Sequence, residues 1–93
     1  MDVRFRSLHD ELWLIAHEEQ PWFDVDKVKG DCVYIYTKPG TDRFSDRNVF
    51  DICADKIIYY VDGYTIPRDA WPYVRRVQAK LKEIQDYWML NRE

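Results

Sequence analysis

Two clusters of metal-ligating residue types, His9-Asp10-Glu11 and His17-Glu18-Glu19, fall in one helix-forming stretch. On a helix the two histidines stand about 80° apart around the axis and about 12 Å apart along it, too far to share one ion. The pattern is that of a solvated polar face, and no metal is expected there. Asp24-Val25-Asp26-Lys27-Val28-Lys29-Gly30 begins like a calcium loop. It fails as one because Val28 and Lys29 stand where an oxygen ligand and the turn glycine are required.

Nucleophilic and phosphate chemistry find no better footing. The chain has two serines and three glycines, with no phosphate-cradling glycine loop, and neither histidine can be tied to a serine or a cysteine. Cys32 and Cys53 lack metal-ligand spacing, no leader is evident, and both fall in stretches that read as strands, so free thiols buried in a sheet are expected ahead of a cross-strand disulfide or a functional pair. No catalytic residue and no cofactor is expected, and the chain reads as a non-enzyme.

Charge leaves two readings that involve nucleic acid. Arg75, Arg76, Lys80 and Lys82 lie on the last helix with Tyr73 and Tyr87 nearby, a footprint that Glu83 and Asp86 interrupt. Residues 1–66 carry 8 basic and 13 acidic side chains, whereas residues 67–93 carry 6 and 4, within an overall charge of −3. Such an acidic body repels phosphates, which weighs against nucleic-acid binding. It raises the opposite idea, that Asp42, Asp46, Asp51, Asp55 and Asp62 imitate phosphates, which Arg43 and Arg47 weaken.

The elements that must position these residues follow from periodicity. Ser7 is placed to cap a helix over 8–19, with Leu8, Leu12, Ile15 and Ala16 on one stripe and Pro21 ending it. Trp22-Phe23 reads as an aromatic anchor where the chain turns back. A period of two over 31–37 predicts a strand with Val33, Ile35 and Thr37 on one face and Cys32, Tyr34 and Tyr36 on the other. Residues 41–48, a four-residue near-repeat, read as a loop or a single helical turn. Strands are expected over 49–53 and 57–61, a turn at Asp62-Gly63, and a short returning strand at 64–66.

Asp69 is the expected cap of the final helix, with Pro72 tolerated in its first turn. Ala70, Val74, Val77, Leu81, Ile84 and Trp88 are spaced 4, 3, 4, 3, 4 and should form one buried seam. The expected fold is therefore α+β over residues 1–93 as one small domain. It consists of a short N-terminal helix, a three- to four-stranded antiparallel meander, and a long amphipathic C-terminal helix packed across the sheet.

With 93 residues there is room for one core, and four Trp, seven Tyr and four Phe supply large side chains to fill it. No apolar run is long enough to span a membrane, and no leader is evident, so a soluble, cytoplasmic protein is expected. Strand 57–61 is apolar in both parities and should be buried on both faces, by the first helix on the second face or by another chain. Tyr87, Trp88, Met89 and Leu90 point in four directions and cannot all face the sheet. Trp13 and Leu14 fall off the apolar stripe of the first helix.

By elimination the sequence reads as a protein-interaction module, with Trp13, Tyr34, Tyr36, Tyr60, Tyr87, Met89, Leu90 and the 42–47 segment (Asp42, Arg43, Asp46, Arg47) as contact candidates. The partner would be another protein or a second copy of the chain, meeting the sheet face or the C-terminal helix. Small, acidic, aromatic-rich chains without a chemical site are frequent among inhibitors and anti-defence proteins of viruses and mobile elements, an analogy of class alone.

Overall fold

A computed structural model describes residues 3–29, 31–38 and 48–91. The order is α1 (Val3–Ala16), β1 (Phe23–Lys29), β2 (Cys32–Thr37), β3 (Asn48–Cys53), β4 (Ile57–Tyr59), a 3-10 turn (Arg68–Ala70) and α2 (Trp71–Asn91). The strands form one antiparallel sheet in the order β1-β2-β3-β4. The expected α+β arrangement of helix, meander and long helix is present, with a strand added at the front.

That strand, β1, occupies residues that read as an aromatic anchor and a failed calcium loop. Phe23 and Val25 lie opposite Thr37 and Ile35. Asp26 then bulges out of register, and Val28 returns to the same face opposite Val33. A bulge inserts one residue into the pleat, so the apolar spacing runs two and then three, and the alternation that marks a strand is lost.

Other boundaries move as well. Helix α1 begins at Val3 rather than at Leu8, and Ser7, inside it, donates a hydrogen bond to Glu11 instead of capping. Arg4 in its first turn reaches Glu83 on α2 at 3.0 Å, a tertiary contact that local capping signals do not contain. Asp69 sits within the 3-10 turn and not at a cap. Residues 64–66 form no strand. Gly63, with φ at +80°, lets the chain turn, and the Tyr64 N–H closes that turn on the Val61 carbonyl.

Helices α1 and α2 lie antiparallel and side by side on one face of the sheet. Leu8, Leu12 and Ala16 join Val74, Val77, Leu81 and Ile84 above Phe23, Val33, Ile35, Phe50 and Ile52 in one continuous core. The expectation that α1 covers the second face is therefore corrected. Tyr73 donates a 2.6 Å hydrogen bond to the Ala16 carbonyl, one of the otherwise orphaned acceptors at the end of α1. Ion pairs Arg76–Glu18 and Lys80–Glu11 continue the seam between the helices.

Strand β4 is an edge strand and is not buried on both faces: Ile57 and Ile58 are half-buried, and Tyr59 is 47% exposed. The strand buried throughout from Val49 to Cys53 is the interior β3. An edge position leaves half of an apolar strand facing water, and composition does not reveal which strand takes the edge. No described helix is long and apolar enough to cross a membrane.

Candidate functional site

The uncovered face of the sheet gathers Asp24, Lys27, Cys32, Tyr34, Tyr36, Asp51 and Ile58, because their register partners alternate away from the helices. Asp51 is a carboxylate only 3% exposed, and the Tyr60 hydroxyl donates to it at 2.8 Å. That hydrogen bond, with partial burial and the carboxylate's charge, raises the Tyr60 phenol above its ordinary pKa. The Lys27 ammonium lies 4.8 Å from the centre of the Tyr34 ring. Tyr34, Tyr36 and Tyr60, chosen from sequence as contact residues, are thus brought to one surface, with Tyr60 the most exposed.

On the same face Cys32 and Cys53 are joined by a disulfide, which overturns the expectation of free thiols. They are 21 positions apart in the chain yet directly opposite in the β2–β3 ladder. The Ala54 N–H bonds the Asp31 carbonyl beyond them, which makes the cysteines a non-hydrogen-bonded pair, the kind whose side chains approach most closely. Register alone decides this, and two isolated cysteines carry no record of it.

The second surface is the end of α2. Twenty-one residues make a helix about 31 Å long, whereas strands of six or seven residues extend about 20 Å. The last turn extends past the sheet, leaving Trp88 54%, Met89 61% and Leu90 84% exposed. Trp88 was expected to continue the buried seam, and it does not, because the sheet ends before the seam does. Tyr87 is the member of the four that turns inward, where it packs against the core. A pocket of about 390 Å³ lies here, with Leu81 and Ile84 as its floor and His9, Asp31, Gln85, Trp88 and Met89 as its walls. None of those wall residues was singled out from sequence for this role except Met89. The mismatch between helix length and strand length was the available signal.

Trp13 is exposed on α1 with its ring 3.6 Å from that of His17, far around the helix from the core. Leu14 is exposed beside it. Asp42, Arg43, Asp46 and Arg47 lie outside the described residues.

The basic footprint on α2 is largely occupied. Arg76 holds Glu18 through two hydrogen bonds of 2.6 and 2.7 Å, Lys80 holds Glu11 and Glu83, and Lys82 lies 3.8 Å from Asp86. These contacts lower the Glu18 and Glu11 carboxyls below their ordinary range and raise Arg76 and Lys80, in each case chiefly through the charge-assisted hydrogen bond. Tyr73, the aromatic companion expected beside this footprint, is buried in the core. Arg75 is exposed and has no ion pair among the described residues. Among the described residues no group of three or more His, Cys, Asp or Glu is placed to hold a metal ion.

Compared with known proteins, the chain matches no family model, no curated protein and no solved structure.

Proposed function

We propose that this protein is a non-enzymatic interaction module that binds another protein through the overhanging end of α2. The observation that carries the reading is a pair of large apolar residues, Trp88 and Met89, each more than half exposed and lining a pocket with an apolar floor. Exposed apolar surface of this composition is what protein interfaces use, and an aromatic and Met rim around a cavity suits a single anchoring side chain. Asp31 at the wall and a net charge of −3 favour an occupant with an apolar anchor flanked by basic residues. A small inhibitor that acts by covering part of its target would need no chemistry beyond this.

The nucleic-acid readings are weaker. Three of the four basic candidates on α2 face carboxylates of this chain, and binding phosphate would require breaking those contacts. As a phosphate mimic, Asp51 is disqualified by burial beneath Tyr60. The disulfide favours an oxidising site of action over the cytoplasmic one expected from sequence.

The test is selection of a random displayed-peptide library on the immobilised protein, followed by affinity measurement on a Met89→Asp/Leu90→Ser double variant. Enriched peptides should carry a large apolar anchor beside Lys or Arg, and the double variant should bind them at least about tenfold more weakly. Absence of enrichment, or equal binding by the variant, overturns the assignment.

A further inference from the structure

The pocket at the end of α2 takes its walls from three parts of the chain. His9 belongs to α1, Gln85, Trp88 and Met89 belong to α2, and Asp31 stands just before β2. The two helices are fixed by the core they share. Asp31 is exposed and lies outside that core, so its place in the wall depends on how the start of β2 is tied to β3.

That tie has two parts. The Asp31 carbonyl accepts a 3.2 Å hydrogen bond from the Ala54 N–H, and the adjacent Cys32 is bonded to Cys53. These cysteines are the last register pair at this end of the β2–β3 ladder, and as a non-hydrogen-bonded pair they stand where the backbone supplies no bond of its own. Strand β1 has no sheet neighbour other than β2, so it offers Asp31 no second tie to β3. Cys53 is the anchored member. Its N–H bonds the Lys56 carbonyl at 2.9 Å, and its carbonyl accepts the Gln78 side-chain amide at 3.0 Å. Gln78 lies on α2, the helix that supplies the facing wall. The disulfide thus closes a circuit from α2 through Cys53 and Cys32 to Asp31, and across the pocket back to α2.

We infer that this disulfide is a redox control on the pocket: oxidised, it holds the Asp31 carboxylate at the rim, and reduced, it releases that wall and with it the selection of basic flanking residues. The inference rests on the pocket being the binding site. The co-reactant is a low-molecular-weight thiol. Cys32 is half-buried on the uncovered face whereas Cys53 is 2% exposed, so the incoming thiolate attacks the Cys32 sulfur. That forms a mixed disulfide and expels Cys53 as a thiolate, which takes up the proton the attacking thiol gave up. A second thiol then attacks the mixed disulfide at the reductant's sulfur, releasing Cys32 as a thiol and the two reductant molecules as their own disulfide. One protein disulfide is reduced and two thiols are oxidised. Neither cysteine belongs to the core cluster beneath the helices, so the fold persists in both states.

The experiment compares the oxidised chain, the chain reduced by dithiothreitol and a Cys32→Ala/Cys53→Ala variant by amide and indole NMR. Breaking the bond should speed exchange of the Ala54 N–H by at least about tenfold and shift the Trp88 indole resonance, while the amides of Val77 and Leu81 stay protected. A peptide with an apolar anchor beside lysine, taken from the displayed library, should bind the reduced chain about tenfold more weakly. Asp31→Asn should lose a similar factor while oxidised and little more on reduction. Unchanged Ala54 exchange and Trp88 resonance in the reduced chain overturn the inference, as does loss of Val77 and Leu81 protection, which would make the disulfide a support of the whole fold. A library that yields no peptide counts against the pocket as a binding site, and the NMR readouts still decide whether the disulfide controls its wall.

Discussion

Tyr73 couples two helices through a single atom. Its ring lies in the core 6.3 Å from Phe23, and its hydroxyl satisfies the Ala16 carbonyl at the end of α1. Burial, the largest cause, pushes the Tyr73 phenol well above its ordinary pKa, which favours the protonated, donating hydroxyl. Tyr73→Phe keeps the ring and strands the carbonyl, and should cost about 1 to 2 kcal/mol in urea denaturation. An unchanged midpoint would mean that water replaces the hydroxyl. The sequence placed Tyr73 beside the basic footprint instead, since residue type and spacing do not say how the C-terminal helix is rotated against α1.

Among elements, the join between β2 and β3 is covalent as well as hydrogen-bonded. A disulfide spanning 21 positions restricts the unfolded chain by about 3 kcal/mol, so thermal unfolding with a reductant should begin well below that of the oxidised protein. Identical curves with and without reductant would show that the bond contributes nothing to the folded state. The free-thiol expectation came from the missing metal-ligand spacing and the lack of an evident leader, which set a cross-strand disulfide second. What changed it is the pairing of strands that place Cys32 opposite Cys53, a tertiary fact. Strand β1 escaped notice for a related reason: its bulge at Asp26 resolves only when Val28 is seen opposite Val33. By contrast β2 was legible from its strict alternation, and its faces are those expected, Val33, Ile35 and Thr37 buried under the helices.

For the whole molecule, one core holds both helices to the sheet, so damage at its centre should be global and damage at its overhang should not. Leu81, nearly fully buried above the sheet, should cost about 2 to 5 kcal/mol as Leu81→Ala, whereas Leu90→Ser should move stability by less than about 0.5 kcal/mol. Comparable losses at both positions in chemical denaturation would refute the boundary drawn between seam and overhang. The sequence by itself determined the α+β class, the β2 alternation and the apolar seam that runs from Ala70 through α2 to Ile84, because these follow from periods of 2.0 and 3.6 residues that each element carries locally. Tertiary structure alone decided that α1 shares a face with α2, that the cysteines meet, that β4 lies at an edge and that Trp88 lies beyond the sheet. Each of these depends on which segments become neighbours and how far they overlap. That is settled by joint burial of all the apolar faces, through contacts between residues tens of positions apart.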